Sequence, residues 1–442
     1  MRPPTQLLDE PEKTEVMWRR LLDRAYLALF REYPQLRALA LVTLAAQLAG
    51  GLMNFYALPK YFLRTEASGG SVSPSRWQLT GEQFGLVMAT FLISETLLKI
   101  PLGWISDRVG RRPLIVLGTL CTCLNPIFIV HLPRALWKAI FPVRVVDGAG
   151  VAALWPPLYA AVGDLTHGRS RAAAMSVINT VYMGAIGLAV AMGGFLVALT
   201  GNDRSPFYLA SGLLFLSSVV SYLGLRPRAA RAAAGEEEVE DEEETGGEGG
   251  QPSGPSVAGY SLPLVLVLSF LMMFGPLIVA YYLTPYLQFD LGLSNVGMGG
   301  LLLLMGVPVL AVGPPLGRVA DRWGTSRAVR MSLLLAAGLM WLLPSCRTIH
   351  AFAAATVMIV LVLMFGAPAW LALVSGLARR RWRGGVMATV ATAEGCGAAL
   401  GPWVGGRLWD IHPAYVFYGA ATALSLAAAV AMVALRGRRR PG

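Results

Sequence analysis

Apolar residues in this 442-residue chain run in long blocks separated by short polar connections. The first six blocks lie near 37–60, 82–102, 114–132, 139–162, 173–199 and 206–224. Six more lie near 261–286, 296–316, 328–344, 350–376, 386–408 and 413–435. Most approach the roughly 20 residues that a helix needs to cross the hydrocarbon core. Lipid supplies no partners for backbone amides, so spanning segments must be helices or closed barrels. These blocks are too long and too continuous for the alternating strands of a barrel. The pattern predicts an all-α membrane protein with twelve transmembrane helices.

The polar connections add orientation. Arg108, Arg111 and Arg112 follow the second block, Arg169 and Arg171 the fourth, and Arg226, Arg228 and Arg231 the sixth. Arg318, Arg322 and Arg327 follow the eighth, and Arg379, Arg380, Arg381 and Arg383 the tenth. All share one parity with the basic tail at 436–442, and the opposite connections are poorer in Lys and Arg. The positive-inside rule then places both termini in the cytoplasm. Residues 1–36 form a cytoplasmic segment. Its Trp18, Leu21, Leu22, Ala25 and Leu29 recur at helical spacing among Arg19, Arg20, Asp23 and Arg24, as in a helix lying at an interface. Residues 225–259 run from arginine-rich sequence into GEEEVEDEEETGGEGG, the composition of a disordered acidic linker.

Composition agrees. Charged residues make up 14% of the chain and hydrophobic ones 55%, too few charges for a water-facing surface of this size. The net charge of +11 is scattered between apolar blocks and forms no stripe for nucleic acid. The N-terminus lacks the apolar core of a cleaved signal peptide. No GxxxxGK[ST] loop, HExxH or catalytic-triad spacing occurs, and no cofactor or metal site is expected. Cys121, Cys123, Cys346 and Cys396 read as small buried apolar residues.

Two copies of one pattern divide the chain. GWISDRVG from Gly103 matches GRVADRWG from Gly317 at an offset of 214 residues. AVAMGGFL from Ala189 matches GPWVGGRL from Gly401 at 212, and Pro59 matches Pro285 at 226. The larger offset fits an insertion in the first exterior loop, which contains ASGGSVSPSR. Two pseudo-symmetric six-helix bundles follow, at 37–224 and 260–435, with a substrate site between them.

On these motifs the chain resembles the major facilitator superfamily over nearly its whole length, and within it bacterial drug and organic-solute proton antiporters. The signature loop is represented by Gly103, Asp107, Arg108, Gly110, Arg111 and Arg112, and its second copy by Gly317, Asp321, Arg322 and Gly324. RVVDGAGVAALWP resembles the family's RxxxGxG pattern through Arg144, Gly148 and Gly150; Asp164 and Arg171 follow in the next loop. The second signature loop departs from the first, ending in Thr325 and Ser326 where the first has Arg111 and Arg112. A GPxxGG pattern, usual in span five of the family's antiporters, stands in span eleven, Gly401 to Gly406. The resemblance implies the major facilitator fold, alternating access and a gating role for the signature loops. Gly110 serves a tight turn, Gly103 allows a neighbouring helix to approach, and Asp107 accepts hydrogen bonds locally or across the bundle interface.

Ionisable residues inside apolar blocks are costly and point to function. Asp147 beside Arg144, Glu95 beside Lys99, and Glu394 are the candidates for proton coupling, with Lys99 nearest a membrane surface. Asn54, Tyr56, Trp155, Tyr159 and Asn179 are candidate cavity residues, as are Tyr182, Tyr281, Tyr282 and Trp370. Aromatic walls with few polar handles suit an amphipathic organic solute. The leading expectation is a monomeric, proton-coupled exporter of such molecules in a bacterial cell inner membrane, its partners being solute, protons and lipid. A facilitative or proton-coupled importer and a non-transporting membrane scaffold are the alternatives; a channel has no evident filter.

Overall fold

The computed structural model describes residues 29–63, 77–166, 168–226, 261–304, 323–346, 348–377 and 383–435. Of the interfacial helix expected from Trp18 to Leu29, only Leu29 is described, and it is buried; the acidic segment from 227, the basic tail, and Gly317, Asp321 and Arg322 of the second signature loop lie outside these residues. The described chain is helical, with one isolated bridge between Leu63 and Leu79. We number the helices α1 (Pro34–Phe62), α2 (Gly81–Val109), α3 (Arg111–His131), α4 (Ile140–Leu165), α5 (Gly168–Thr200) and α6 (Ser205–Gly224). After the acidic segment come α7 (Leu262–Asp290), α8 (Asn295–Leu304), α9 (Thr325–Leu342), α10 (Ile349–Leu377), α11 (Arg383–Ile411) and α12 (Tyr415–Ala434).

Among the described residues, ten helices are long and apolar enough to cross a membrane. α8 is described over ten residues only, and α11 falls outside the ten because glycines, Glu394 and Arg407 dilute its hydropathy. Helices outrun the apolar blocks that announce them. α2 continues to Val109, beyond the block near 82–102, because its last turns are helical without being lipophilic.

Two glycine-lined helices organise the packing. In α4, a Cβ at Gly148 would strike Ser94 and the backbone of Phe91 and Glu95 in α2, and one at Gly150 would strike Thr122 and Gly118 in α3. The RxxxGxG spacing therefore seats α4 against two neighbours at once. In α11, Gly397, Gly401 and Gly405 meet the backbone of α7 at Phe270, Phe274 and Ile278, while Gly395 and Gly406 meet Thr96 and Gly81 of α2. α11 thus joins helices that precede and follow the acidic segment. α1 is the most enclosed span, with 72% of its apolar window buried. It runs through a π-helical stretch at Leu52–Ala57, a feature that often marks functional sites.

Candidate functional site

A cavity of about 450 Å³ lies between α1, α2, α4, α7 and α11, with smaller contributions from α3, α5 and α6, within the range of small-molecule sites. Its walls are mainly apolar and aromatic. Trp155 meets Tyr182 edge-on at 4.8 Å, and Phe55 stacks on Tyr281 at 5.2 Å. Phe91 lines the α2 side.

The cavity's polar groups include Gln47, Asn54, Thr96 and Thr392 and the charged Glu95, Lys99, Asp147 and Glu394. Arg144 is fully buried behind the wall. Its guanidinium donates to Asp147 Oδ2 at 2.5 Å and to Asn54 Oδ1 at 2.8 Å, and lies 4.2 Å from the Phe91 ring centre. The π-helical stretch of α1 carries Asn54, placing its amide oxygen where α4 presents the cation. An ion pair, an amide oxygen and a ring face together offset the desolvation of one guanidinium. Among the described residues its Nε has no hydrogen-bond partner.

Two further carboxylates face the cavity from α2 and α11. Glu95 pairs with Lys99 one turn along at 2.7 Å. Glu394 accepts from Trp370 Nε1 at 2.9 Å, and among the described residues no basic group forms an ion pair with it.

Of the residues expected at the cavity, Asn54, Trp155, Tyr182 and Tyr281 line it, and Trp370 stands behind Glu394. Tyr159 touches Trp155 at 6.2 Å but does not reach the lining, and Asn179 is exposed elsewhere on α5. Tyr56 and Tyr282 are fully buried away from it, because helix packing turns them toward the crossings near the start of α2 and α8. Tyr56 donates to Asn295 at 3.4 Å; Tyr282 donates to the carbonyls of Pro402 and Gly81 at 2.8 and 3.2 Å. Sequence reading passed over Met53, Phe55, Phe91 and Thr96, which line the cavity. Only the helical register could have separated them from lipid-facing neighbours.

In the first signature loop, Gly110 has φ +103°, a backbone that a Cβ would strain. Asp107 pairs with Arg111, which also donates to Asp164 at 3.1 Å and Ser106 at 3.0 Å. Arg112 lies over Tyr222 at 4.5 Å and Arg108 over Trp104 at 3.6 Å. Gly324 repeats the positive φ, at +87°. The close helix approach expected at Gly103 is not found: no described atom lies within 4 Å of its Cβ position. α2 touches α11 through its N-terminal half and has separated from it by this point.

Membrane-spanning helices around an aromatic, charge-bearing cavity define a polytopic solute transporter. The chain belongs to the Major Facilitator Superfamily, whose family model matches residues 38–380 and 265–442. It is 24% identical over 361 residues to Multidrug resistance protein 1 of Bacillus subtilis, covering 80% of this chain and 87% of that one. It is 22% identical to the quinolone resistance protein NorA of Staphylococcus aureus over 143 residues, 32% of this chain and 36% of that one. Among solved structures, a bacterial homologue of the human lysosomal transporter Spinster, inward-facing and unoccupied, superposes with TM-score 0.67. It has 16% identity and covers 92% of this chain and 98% of its own. The human organic anion transporter MFSD10 gives TM-score 0.62 at 18% identity, covering 91% and 99%.

Proposed function

We propose that this transporter exports amphipathic small organic molecules, cationic ones foremost, in exchange for protons. In this reading twelve helices form two six-helix bundles, at 37–224 and 260–435, joined by a cytoplasmic acidic linker. The arginine-rich loops and both termini face the cytoplasm, the start of α2 faces outside, and a monomer suffices for transport.

Glu394 carries the proposal. Of the three carboxylates on the mainly apolar and aromatic wall, Asp147 and Glu95 are paired with Arg144 and Lys99, whereas Glu394 has an indole N–H and no ion-pairing cation as its described partner. A bulky monocation would satisfy that carboxylate while its apolar body lies against Phe55, Phe91 and Trp155. The drug-resistance names of its relatives fit this ligand chemistry. Asp147 supplies the proton site: protonation removes the anion from Arg144, and the guanidinium then leans on Asn54 and Phe91. That exchange links cavity charge to bundle position.

The test is flux in proteoliposomes carrying the purified chain. An acidic lumen should drive tetraphenylphosphonium inward against its gradient as protons leave. Equilibration that ignores the pH gradient would mean facilitation, and the export reading would fail. For Glu394→Gln, tetraphenylphosphonium binding in detergent should weaken about tenfold, the scale of one desolvated cation contact. Equal affinity in wild type and variant would remove Glu394 from the site.

A further inference from the structure

We infer that Asp410 is a gating residue, whose carboxylate latches the end of α11 onto the start of α2 and must let go for that end to open. The helix start is unusually dependent on it. Thr80 Oγ1 accepts from the Gln83 amide, and the Gln83 side chain answers the Thr80 amide, both at 3.1 Å. This capping box leaves the amides of Gly81 and Glu82 unserved. Asp410 takes both, Oδ1 from Gly81 at 2.6 Å and Oδ2 from Glu82 at 2.9 Å, across more than 300 residues of sequence. An anion here also faces the positive end of the α2 dipole.

The neighbouring contacts bind the same two helices. Glu82 pairs with Arg407 at 2.9 Å and accepts from Trp403 Nε1 at 3.2 Å. Tyr282 OH donates to carbonyls of both, Gly81 and Pro402. Gly81 and Gly406 let the two backbones touch, since a Cβ at either would overlap the carbonyl of the other.

The internal repeat shows that this latch is particular to one crossing. The offset of 214 carries Gly81 to Asn295, 212 carries Gly406 to Gly194, and 226 carries Tyr282 to Tyr56. Those three residues meet as their counterparts do: a Cβ at Gly194 would strike the Asn295 carbonyl, and Tyr56 OH reaches Asn295. The α5–α8 crossing is therefore the sister of the α2–α11 crossing. At the sister crossing the place of Asp410 falls to Ala198 and that of Glu82 to Val296. Lys60 serves Asn295 there instead, at 3.0 Å, while holding Asp203 at 2.7 Å within its own half. Two carboxylates, Asp410 and Glu82, thus make contacts between the halves at α2–α11; at α5–α8 their positional counterparts Ala198 and Val296 are apolar, and the charged contact across is that of Lys60 with the Asn295 amide. The Glu82–Asp410 contact is exposed, so water can replace the carboxylate when the helices part. That makes it a reversible fastening between two bistable arrangements.

The experiment reads the two arrangements directly and needs no substrate. Cys121, Cys123, Cys346 and Cys396 are replaced, and spin labels are placed at Arg204→Cys and Tyr415→Cys, which flank this end from either half. Pulsed dipolar distances then give the ratio of closed to open populations. Asp410→Asn keeps the shape but loses the charge and one acceptor. It should lower the ratio about tenfold, and Asp410→Glu should recover part of it. Asn295→Ala, at the sister crossing, should lower the ratio at most threefold. A distribution for Asp410→Asn that superimposes on wild type, or shifts no more than Asn295→Ala, overturns the inference. Should Asp410→Asn not purify as a monodisperse protein, Glu82→Gln combined with Arg407→Gln reads the same crossing. A shift of about threefold is expected there, and no shift overturns the latch.

Discussion

Asp147→Ala is expected to lower stability in detergent by about 3–5 kcal/mol, the range for stranding one partner of a buried ion pair. The reason is geometric. Arg144 is wholly enclosed, its remaining direct contacts, Asn54 Oδ1 at 2.8 Å and the Phe91 face, carry no full negative charge, and the nearby Glu95 is already paired with Lys99 at 2.7 Å. Removing Arg144 and Asp147 together, as Arg144→Leu with Asp147→Leu, should restore most of the lost stability, because no unpaired charge remains. Thermal unfolding of the three proteins followed by intrinsic fluorescence checks this. If the single and double variants melt alike, the pair is not an energetic unit. Flux separates stability from coupling: the double variant should bind tetraphenylphosphonium yet show no response to an imposed pH gradient.

Gly406→Leu should depopulate the arrangement with α2 and α11 in contact by roughly 10–100-fold. Overpacking typically costs about 1–3 kcal/mol, and each 1.4 kcal/mol is about tenfold. A side chain at 406 has nowhere to go. Its Cβ would overlap the Gly81 carbonyl and lie 2.8 Å from the Tyr282 hydroxyl, and both sit on rigid helix backbone or buried ring. Transport, which must visit both arrangements, should fall by a comparable factor while the melting temperature moves little. Gly103→Leu supplies the contrast. No described atom lies within 4 Å of its Cβ position, so this arrangement should tolerate the substitution. The labelled pair used for Asp410 measures both variants. Equal populations in Gly406→Leu and wild type would show that the contact is not needed for closure.

The candidate site was legible to different depths. Arg144, Asp147, Glu95 and Glu394 stand out in sequence because a charge within an apolar block is costly to bury and needs a reason. Asn54 and the Trp155–Tyr182 wall were recognisable as polar or aromatic interruptions of the same kind. Tyr56 and Tyr282 looked identical to these in one dimension, yet both are packed into helix crossings with their hydroxyls spent on Asn295, Gly81 and Pro402. The charged contacts at the start of α2 were invisible. Glu82, Arg407 and Asp410 lie near the ends of apolar blocks, where charge is ordinary and carries no signal.

The sequence by itself determined the solvent, the helices, the family and the repeat. Each follows from local composition: blocks of about 20 apolar residues can satisfy their amides in lipid only as helices. Duplication likewise leaves its trace in short motifs. Tertiary structure alone decided which face of each helix meets a cavity, a neighbour or lipid, because all three surroundings accept the same apolar side chains. It also decided which end of the cavity is shut. That depends on backbone contacts such as Gly81 with Gly406, between residues more than 300 positions apart, and no periodicity along one chain records such a distance.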